Sequence, residues 1–428
     1  MINAFTVGGN VGLEMAALPF EARMKRINTF AYLGMAPKAA PPEVIMKAMG
    51  FISRTAPSMF KAMMGKVGAG MSKQQEAALN PIIEQFDSYW HDELLPEIKQ
   101  HLAYFESSDL RGMSLDQLRA HLAEAMRRTE CIGAIHHKIL MPMLFAMSQF
   151  EEFYCELFDG ATALDALRLT QGFDNLTMKS DAALWQLSRT ARVLPDVHTI
   201  LSKHAASEVM PALEKSPAGK SFLAELRGWL AEYGQRLNAV FNLNEPSWIE
   251  EPTPAIQNLQ AYITLPDRQA ELKNGVVVER ETAVSEARAT LAGYPQPVVA
   301  RFETLLKAAQ IAAVVHEDHN VWIDQRFFYH IHRIITAFGT RLAQAGIIAA
   351  ADDVFYLTPE ELQASRHSSL KPLVQQRKTE MTQFGQMTPP PMLGTAPPFD
   401  LSDSGSMVRA ILKGEMAQAN GSQPEANL

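Results

Sequence analysis

The sequence predicts a mainly α protein: one large multi-helix domain that ends in a Pro-rich C-terminal linker. Three observations carry this. Apolar residues recur at helical spacing along much of the chain, as in PIIEQFDSYWHDELLPEIKQHLAYF. Two stretches are strong helix starts. Ser114-Leu115-Asp116-Gln117 has the form of a capping box, and Thr358-Pro359-Glu360-Glu361 joins a threonine cap to an N1 proline and an acidic first turn. A third stretch, IGAIHHKILMPMLFAMSQFEEFYCELF, is almost wholly apolar, the mark of a central helix.

In chain order, residues 1–75 form a Met-rich segment broken at Gly8-Gly9, Pro37, Pro41-Pro42 and Gly65, which predicts short helices joined by turns. The Gly8–Gly12 cluster has neither a strand before it nor Lys-Ser/Thr after it, so it is no phosphate loop. Residues 76–387 form the helical domain. Pro96 marks a break or kink in its first helix. Leu169–Arg192 reads as a turn followed by a helix, with helices around Ser202–Glu214 and Ser221–Leu237 after it. Phe241–Pro254 is a loop, and Ala255–Ile263 and Gln269–Ala292 are helical again. Val298–Gln344 is one long helical region in two pieces. Residues 388–428 contain the extended Pro-rich linker Thr388–Pro398, a short helix at Ser406–Ala417 and a polar tail.

The chain has 428 residues, enough for a large core, and a formal net charge of -8 with no basic face to suit nucleic acid. Cys131 and Cys155 have no CxxC neighbour, which argues against a zinc or disulfide framework and fits a reduced, cytoplasmic setting. No signal peptide is expected, nor an apolar run of the ~20 residues that a bilayer needs.

The chemistry concentrates in HEDHNVWIDQRFFYHIHR, from His316 to Arg333. At 100° per residue His316, His319, Asn320, Ile323, Phe327, His330 and Ile334 share one side of a helix. That stripe is half polar and half apolar, which suits a pocket wall that holds an apolar molecule and handles one proton. His316, Glu317, Asp318, His319 and Asp324 are the candidate base and base-orienting groups, and Arg326, with its planar fork, the candidate clamp on an anionic group. Asn320, Trp322, Ile323, Phe327, His330, His136 and Trp248 are the candidate substrate-binding residues. A metal on His316, His319 and Asp324 is not expected, because their offsets are imperfect for one helix face and no ExxH pair occurs.

The run HEDHNVWIDQRFF, followed by RLAQAGIIAAADDVFYLTPEEL, resembles the phosphoenolpyruvate synthase and pyruvate phosphate dikinase superfamily, and within it enzymes of the rifampin phosphotransferase and phenylphosphate synthase kinds. The likeness extends from about Asp87 to Pro398 and includes LTQGFDNLTMKSDAALWQLS. It implies a substrate-binding region that presents the hydroxyl of an apolar small molecule, a phenol or lipophilic alcohol, to a phosphohistidine. No ATP-grasp pattern and no Thr-Ser-Gly-Gly run with its histidine is found here. ATP and Mg²⁺ are therefore expected on an ATP-grasp partner, the phosphohistidine on a swivelling partner, and no cofactor on this chain, with this subunit inactive alone. The alternative is a non-catalytic helical ligand-binding or scaffold protein of the same descent.

Overall fold

Caps and prolines set the element boundaries. The protein is described from a computed structural model covering residues 2–28, 30–39, 42–238, 242–267, 269–365 and 368–390. Helix α1 (Ile2–Met15) leads into strands β1 (Phe20–Ile27) and β2 (Phe30–Pro37), then α2 (Pro42–Thr55) and α3 (Pro57–Ile83). A short α4 (Phe86–Ser88) and a π-helical stretch, Tyr89–Leu94, precede α5 (Leu95–Glu106). Pro96 sits in the first turn of α5, so the predicted break is a change of helix type: proline offers no N–H to the turn before it. The 43-residue α6 (Leu115–Leu157) starts at the Ser114 capping box, where the Ser114 hydroxyl accepts from the Gln117 backbone and the Gln117 side chain accepts from the Ser114 N–H.

Short helices follow: α7 (Ala163–Arg168), α8 (Leu176–Val193), α9 (Pro195–Lys203), α10 (Ala206–Leu213), α11 (Pro217–Tyr233) and α12 (Thr253–Thr264). Then come α13 (Gln269–Leu291), α14 (Gln296–His319), a second π-helical stretch, Asn320–Phe327, and α15 (Phe328–Gln344). Helix α15 ends in a Schellman motif. Gly346, at φ 70°, lets Ile347 N–H reach Leu342 O at 2.9 Å and its own N–H reach Ala343 O at 3.0 Å. The conspicuous DDVFY run is a 3₁₀ turn, Ala351–Tyr356, that packs back on α15, with the buried Asp353 carboxylate accepting from the Ala349 and Ala350 N–H groups and from Lys378. The chain ends its described part with α16 (Pro359–Ala364), started by the Thr358 box, α17 (Lys371–Phe384), and residues to 390. Most of the Pro-rich linker and the helix expected at Ser406–Ala417 lie outside the described residues.

The fold is mainly α, as its periodicity predicts. Two apolar clusters organise it. The larger joins α1, α3, α5, α6, α14 and α15 and includes Ile98, Ile139, Phe302, Phe327 and Phe338, all at or near zero exposure. The smaller lies within α8–α12, around Phe222, Leu226, Val209 and Leu259.

The N-terminal 75 residues differ from the run of short helices expected. FEARMKRI alternates apolar and polar residues, the period of a strand, and pairs antiparallel with FAYLGMAP from Phe20↔Pro37 to Ile27↔Phe30. Asn28, at φ 55°, turns the hairpin, and Asn10 Oδ1 ties it to α1 by accepting from Ala22 N–H at 2.8 Å. The boundary expected near residue 75 falls inside α3. Among the described residues one helix, α6, is long and apolar enough by length and composition to cross a membrane, where the sequence reading found no such run; half of its apolar window is buried inside the fold.

The Gly8–Gly12 cluster is a packing surface, not a loop. Gly8 and Gly12 face α6, and a Cβ on Gly8 would stand 2.2 Å from Gly133 O and 2.5 Å from His137 Nδ1. Gly8→Ala should therefore destabilise the protein by about 1–3 kcal/mol, the scale of an overpacked core. Gly65→Ala, with nothing within 4 Å of the added carbon, should instead stabilise it by about 0.5–1 kcal/mol through helix propensity. Urea unfolding of both variants checks the pair, and equal shifts would remove the close approach of α1 to α6 from the account.

Candidate functional site

The second π-helical stretch decides where the candidate residues go. In an α-helix, residues five apart lie about 140° from each other. With i→i+5 hydrogen bonding, five residues make close to one turn and stack on one face. Three such pairs follow: His319 with Asp324, Asn320 with Gln325, and Val321 with Arg326. Gln325 Nε2 lies 3.4 Å from Asn320 Oδ1, a contact across one π turn. No α-helical wheel would pair these residues.

The last two pairs line a cleft of about 40 Å³, closed on its far side by α8 and the end of α11 through Leu176, Thr177, Tyr233 and Arg236. Two guanidiniums flank it. Arg326 rests over the Trp322 ring at 4.5 Å and donates to Glu232 O at 3.0 Å. Arg236 rests over the Trp248 ring at 4.8 Å, and Trp248 is itself fixed by Asn238 at 2.6 Å and by stacking on Trp229. Burial lowers the Arg326 pKa from its usual value, but guanidinium keeps its charge in proteins. Gln325 locks the floor to the far wall by accepting from Leu237 N–H at 2.8 Å.

The first pair turns elsewhere. His319 and Asp324 meet His136 of α6 in a buried group whose ligand-type atoms all lie within 4.8 Å of one another. The His136 and His319 rings are 5.2 Å apart, and His136 Nε2 is 3.9 Å from Asp324 Oδ2. His319 Nδ1 is 2.8 Å from Val315 O, which makes that nitrogen the N–H donor and leaves Nε2 with its lone pair. Burial holds the His319 pKa down at about 4 and that of His136 well below the usual value, so both rings are neutral at pH 7. Burial also pushes the Asp324 carboxyl up to about 7, and among the described residues its Oδ1 has no hydrogen-bond partner.

The remaining candidates divide by place. His316 is half exposed and pairs with Glu317 at 3.5 Å; the hydrogen bond between them raises the His316 pKa and lowers that of Glu317. Glu317 also accepts from Thr177 on the cleft wall. Asp318 accepts from Leu176 N–H at 2.7 Å and so braces the start of α8, while burial raises its pKa. Trp322 and Trp248 back the two arginines. Ile323, Phe327 and His330 are core residues, as are Phe328 and Tyr329; none of them lines the cleft. Sequence reasoning missed Arg236, Tyr233 and Gln325. Arg236 lies three residues after the end of α11, and no periodic signal marks it.

Compared with known proteins, residues 136–317 match the family described as the rifampicin phosphotransferase fourth domain. The chain is 31% identical over 440 residues to chondramide synthase of Chondromyces crocatus, an alignment covering 99% of this chain and 10% of that protein. It is 22% identical over 294 residues to an uncharacterized phosphotransferase, YvkC, of Bacillus subtilis, covering 67% of this chain and 34% of that one. To rifampicin phosphotransferase of Streptomyces sviceus it is 27% identical over 251 residues, covering 54% and 27%. The chain thus spans from 10% to 34% of the length of these relatives.

His330 makes a stability prediction. It is 2% exposed, stacks on Phe105 at 5.7 Å, and its Nε2 has no hydrogen-bond partner among the described residues. Burial lowers its pKa from 6.5 to about 4. The unfolded chain therefore takes up this proton first, and stability falls as pH drops from the unfolded value toward the folded one. The loss is at most about 3 kcal/mol. His330→Phe, which keeps a ring against Phe105, should lose less stability between pH 7 and pH 4.5 than the parent does. Urea unfolding at both pH values measures this, and parallel losses would assign the acid sensitivity to other groups.

Proposed function

The chain belongs to the phosphoenolpyruvate synthase and pyruvate phosphate dikinase superfamily, and from that premise we propose that it is the acceptor-holding part of an ATP-dependent phosphotransferase. It binds a hydroxylated, largely apolar small molecule, a phenol or a lipophilic alcohol, and offers the hydroxyl to a phosphohistidine held on a swivelling partner. ATP and Mg²⁺ act on an ATP-grasp partner. The observation that carries the reading is the cleft flanked by Arg236 and Arg326, each backed by an indole ring.

A planar guanidinium matches phosphoryl oxygens with two parallel hydrogen bonds. The rings that back Arg236 and Arg326 restrict their rotamers, so less entropy is lost when they grip an anion. Leu176, Val321 and the Tyr233 ring offer the apolar part of the acceptor its contacts. In the transfer step the acceptor oxygen bonds to phosphorus as the P–N bond to the partner's histidine breaks. The electron pair of that bond returns to the imidazole, and the hydroxyl proton passes to a base. Glu232 on the cleft wall, and Glu317 through Thr177, are carboxylates at hand for that proton. The part of the chain that matches the rifampicin phosphotransferase domain, residues 136–317, includes α8 and α11, the far wall of this cleft.

A second reading has its own observation. Since 99% of the chain aligns with 10% of chondramide synthase, a helical module that keeps the fold for docking within a larger synthase, without phosphotransfer, is the alternative.

The chain alone should leave ATP intact. Combined with ATP-grasp and swivelling partners and labelled ATP, it should label an acceptor from a panel of phenols and lipophilic alcohols. Arg326→Ala and Arg236→Ala should each lower that transfer by roughly 10²-fold or more, the scale for a lost donor to developing charge. Acceptor binding to the isolated chain should carry a negative heat-capacity change in calorimetry. Undiminished transfer in both arginine variants would remove the cleft from the reaction, and acceptor binding with no transfer in the presence of all partners would favour the docking module.

A further inference from the structure

The group formed by His136, His319 and Asp324 is not used by the cleft. Its three side chains come from two separate stretches, the middle of α6 and the junction of α14 with the π turn. Neutral imidazoles and one carboxylate converge there without a hydrogen bond among them: the 3.9 Å from His136 Nε2 to Asp324 Oδ2 is too long for one. Asp324 Oδ1 is buried and has no hydrogen-bond partner among the described residues. A carboxylate in that position is costly unless a cation or donors meet it.

We propose that His136, His319 and Asp324 form a binding site for one divalent transition-metal ion, Zn²⁺ or an ion of its class. Two imidazole nitrogens and a carboxylate oxygen are borderline donors, the set that suits Zn²⁺ and its neighbours; Mg²⁺ and Ca²⁺ prefer all-oxygen shells. The ligand atoms, all within 4.8 Å of one another, need only small side-chain rotations to reach the edge of about 3.3–3.5 Å that metal bonds of about 2.0–2.1 Å set in a tetrahedron. Val315 O supplies the supporting contact. It takes the Nδ1–H of His319 and so orients Nε2 as the ligand.

Three protein ligands leave one position open. His319 and Asp324 each stand one residue before Asn320 and Gln325, which line the cleft, but neither lines it itself. Ion binding itself does not depend on the phosphotransfer reading. A chain that binds the ion but transfers no phosphoryl group would overturn that reading and leave this one standing.

The test uses the full chain, stripped with chelator and titrated with Zn²⁺, Co²⁺ and Mg²⁺. Zn²⁺ should bind one ion per chain in calorimetry and raise the Tm. Co²⁺ should give the visible absorption of a low-coordinate nitrogen–oxygen site, and Mg²⁺ should do neither. Asp324→Asn keeps the side-chain shape and should still fold by circular dichroism. It and His319→Ala should each weaken Zn²⁺ by at least about 100-fold, at or beyond the upper end of what a lost supporting hydrogen bond costs. His316→Ala, half exposed and outside the group, should bind as the parent does. No ion bound to the folded parent would overturn the proposal. So would Zn²⁺ binding that survives in both Asp324→Asn and His319→Ala, or binding lost in His316→Ala alone.

Discussion

The backbone register between Asn320 and Phe327 is the constraint on which the site depends. Hydrogen bonds that skip five residues instead of four rotate each following side chain relative to an α-helix, and π stretches recur at functional sites for that reason. The flanking residues are ordinary: Asn320 sits at φ -58°, ψ -47° and Phe328 at φ -66°, ψ -33°, both helical. Helix α14 therefore passes through the π turn into α15 without a cap or a break. What changes is which side chains share a face. Asn320 and Gln325 reach the cleft floor, His319 and Asp324 reach His136, and Ile323 and Phe327 stay in the core.

The rest of the fold holds that register in place. Helix α6 carries His136 past the turn and is itself pinned from behind by α1, whose glycines let the two backbones close on each other. On the other side the smaller apolar cluster fixes α8 and α11, and with them the far cleft wall. Hydrogen bonds cross between the parts: Asp318 to the first turn of α8, Thr177 to Glu317, Gln325 to Leu237 beyond α11, and Arg326 to Glu232 O. Arg236 and Arg326 approach from opposite walls, each held against an indole, so their separation follows from the packing of two helix groups.

Most of the architecture was legible because helices announce themselves locally. The Ser114 and Thr358 boxes start their helices where the sequence has them, and the apolar run after Ile132 is the central helix. The β1–β2 hairpin was legible in principle, since FEARMKRI alternates at period two; the many methionines and the glycine and proline breaks of the segment hid it. Of the cleft lining, only Asn320 and Arg326 are among the residues the sequence singles out, and the grouping was not legible. The wheel at 100° per residue gathered His316, His319, Ile323, Phe327 and His330 on one stripe. The π turn distributes them among surface, buried polar group and core. The partnership of His319 with Asp324, and of both with His136, depends on a hydrogen-bond register that side-chain pattern does not encode and on a contact made across more than a hundred and eighty residues of chain. Arg236 could not be read at all, because its place depends on where α11 stops.

The claim at the centre of this account is that the cleft between α8, α11 and the π turn receives the phosphoryl group as it reaches the acceptor. A crystal structure of the chain grown with an aryl phosphate, the product type of such a transfer, addresses it most directly. The account predicts phosphate oxygens within hydrogen-bonding distance of the guanidiniums of both Arg236 and Arg326, with the ring against Leu176, Val321 or Tyr233. An aryl phosphate bound elsewhere on the chain, with both arginines unmoved over their indoles and the cleft empty, would contradict it.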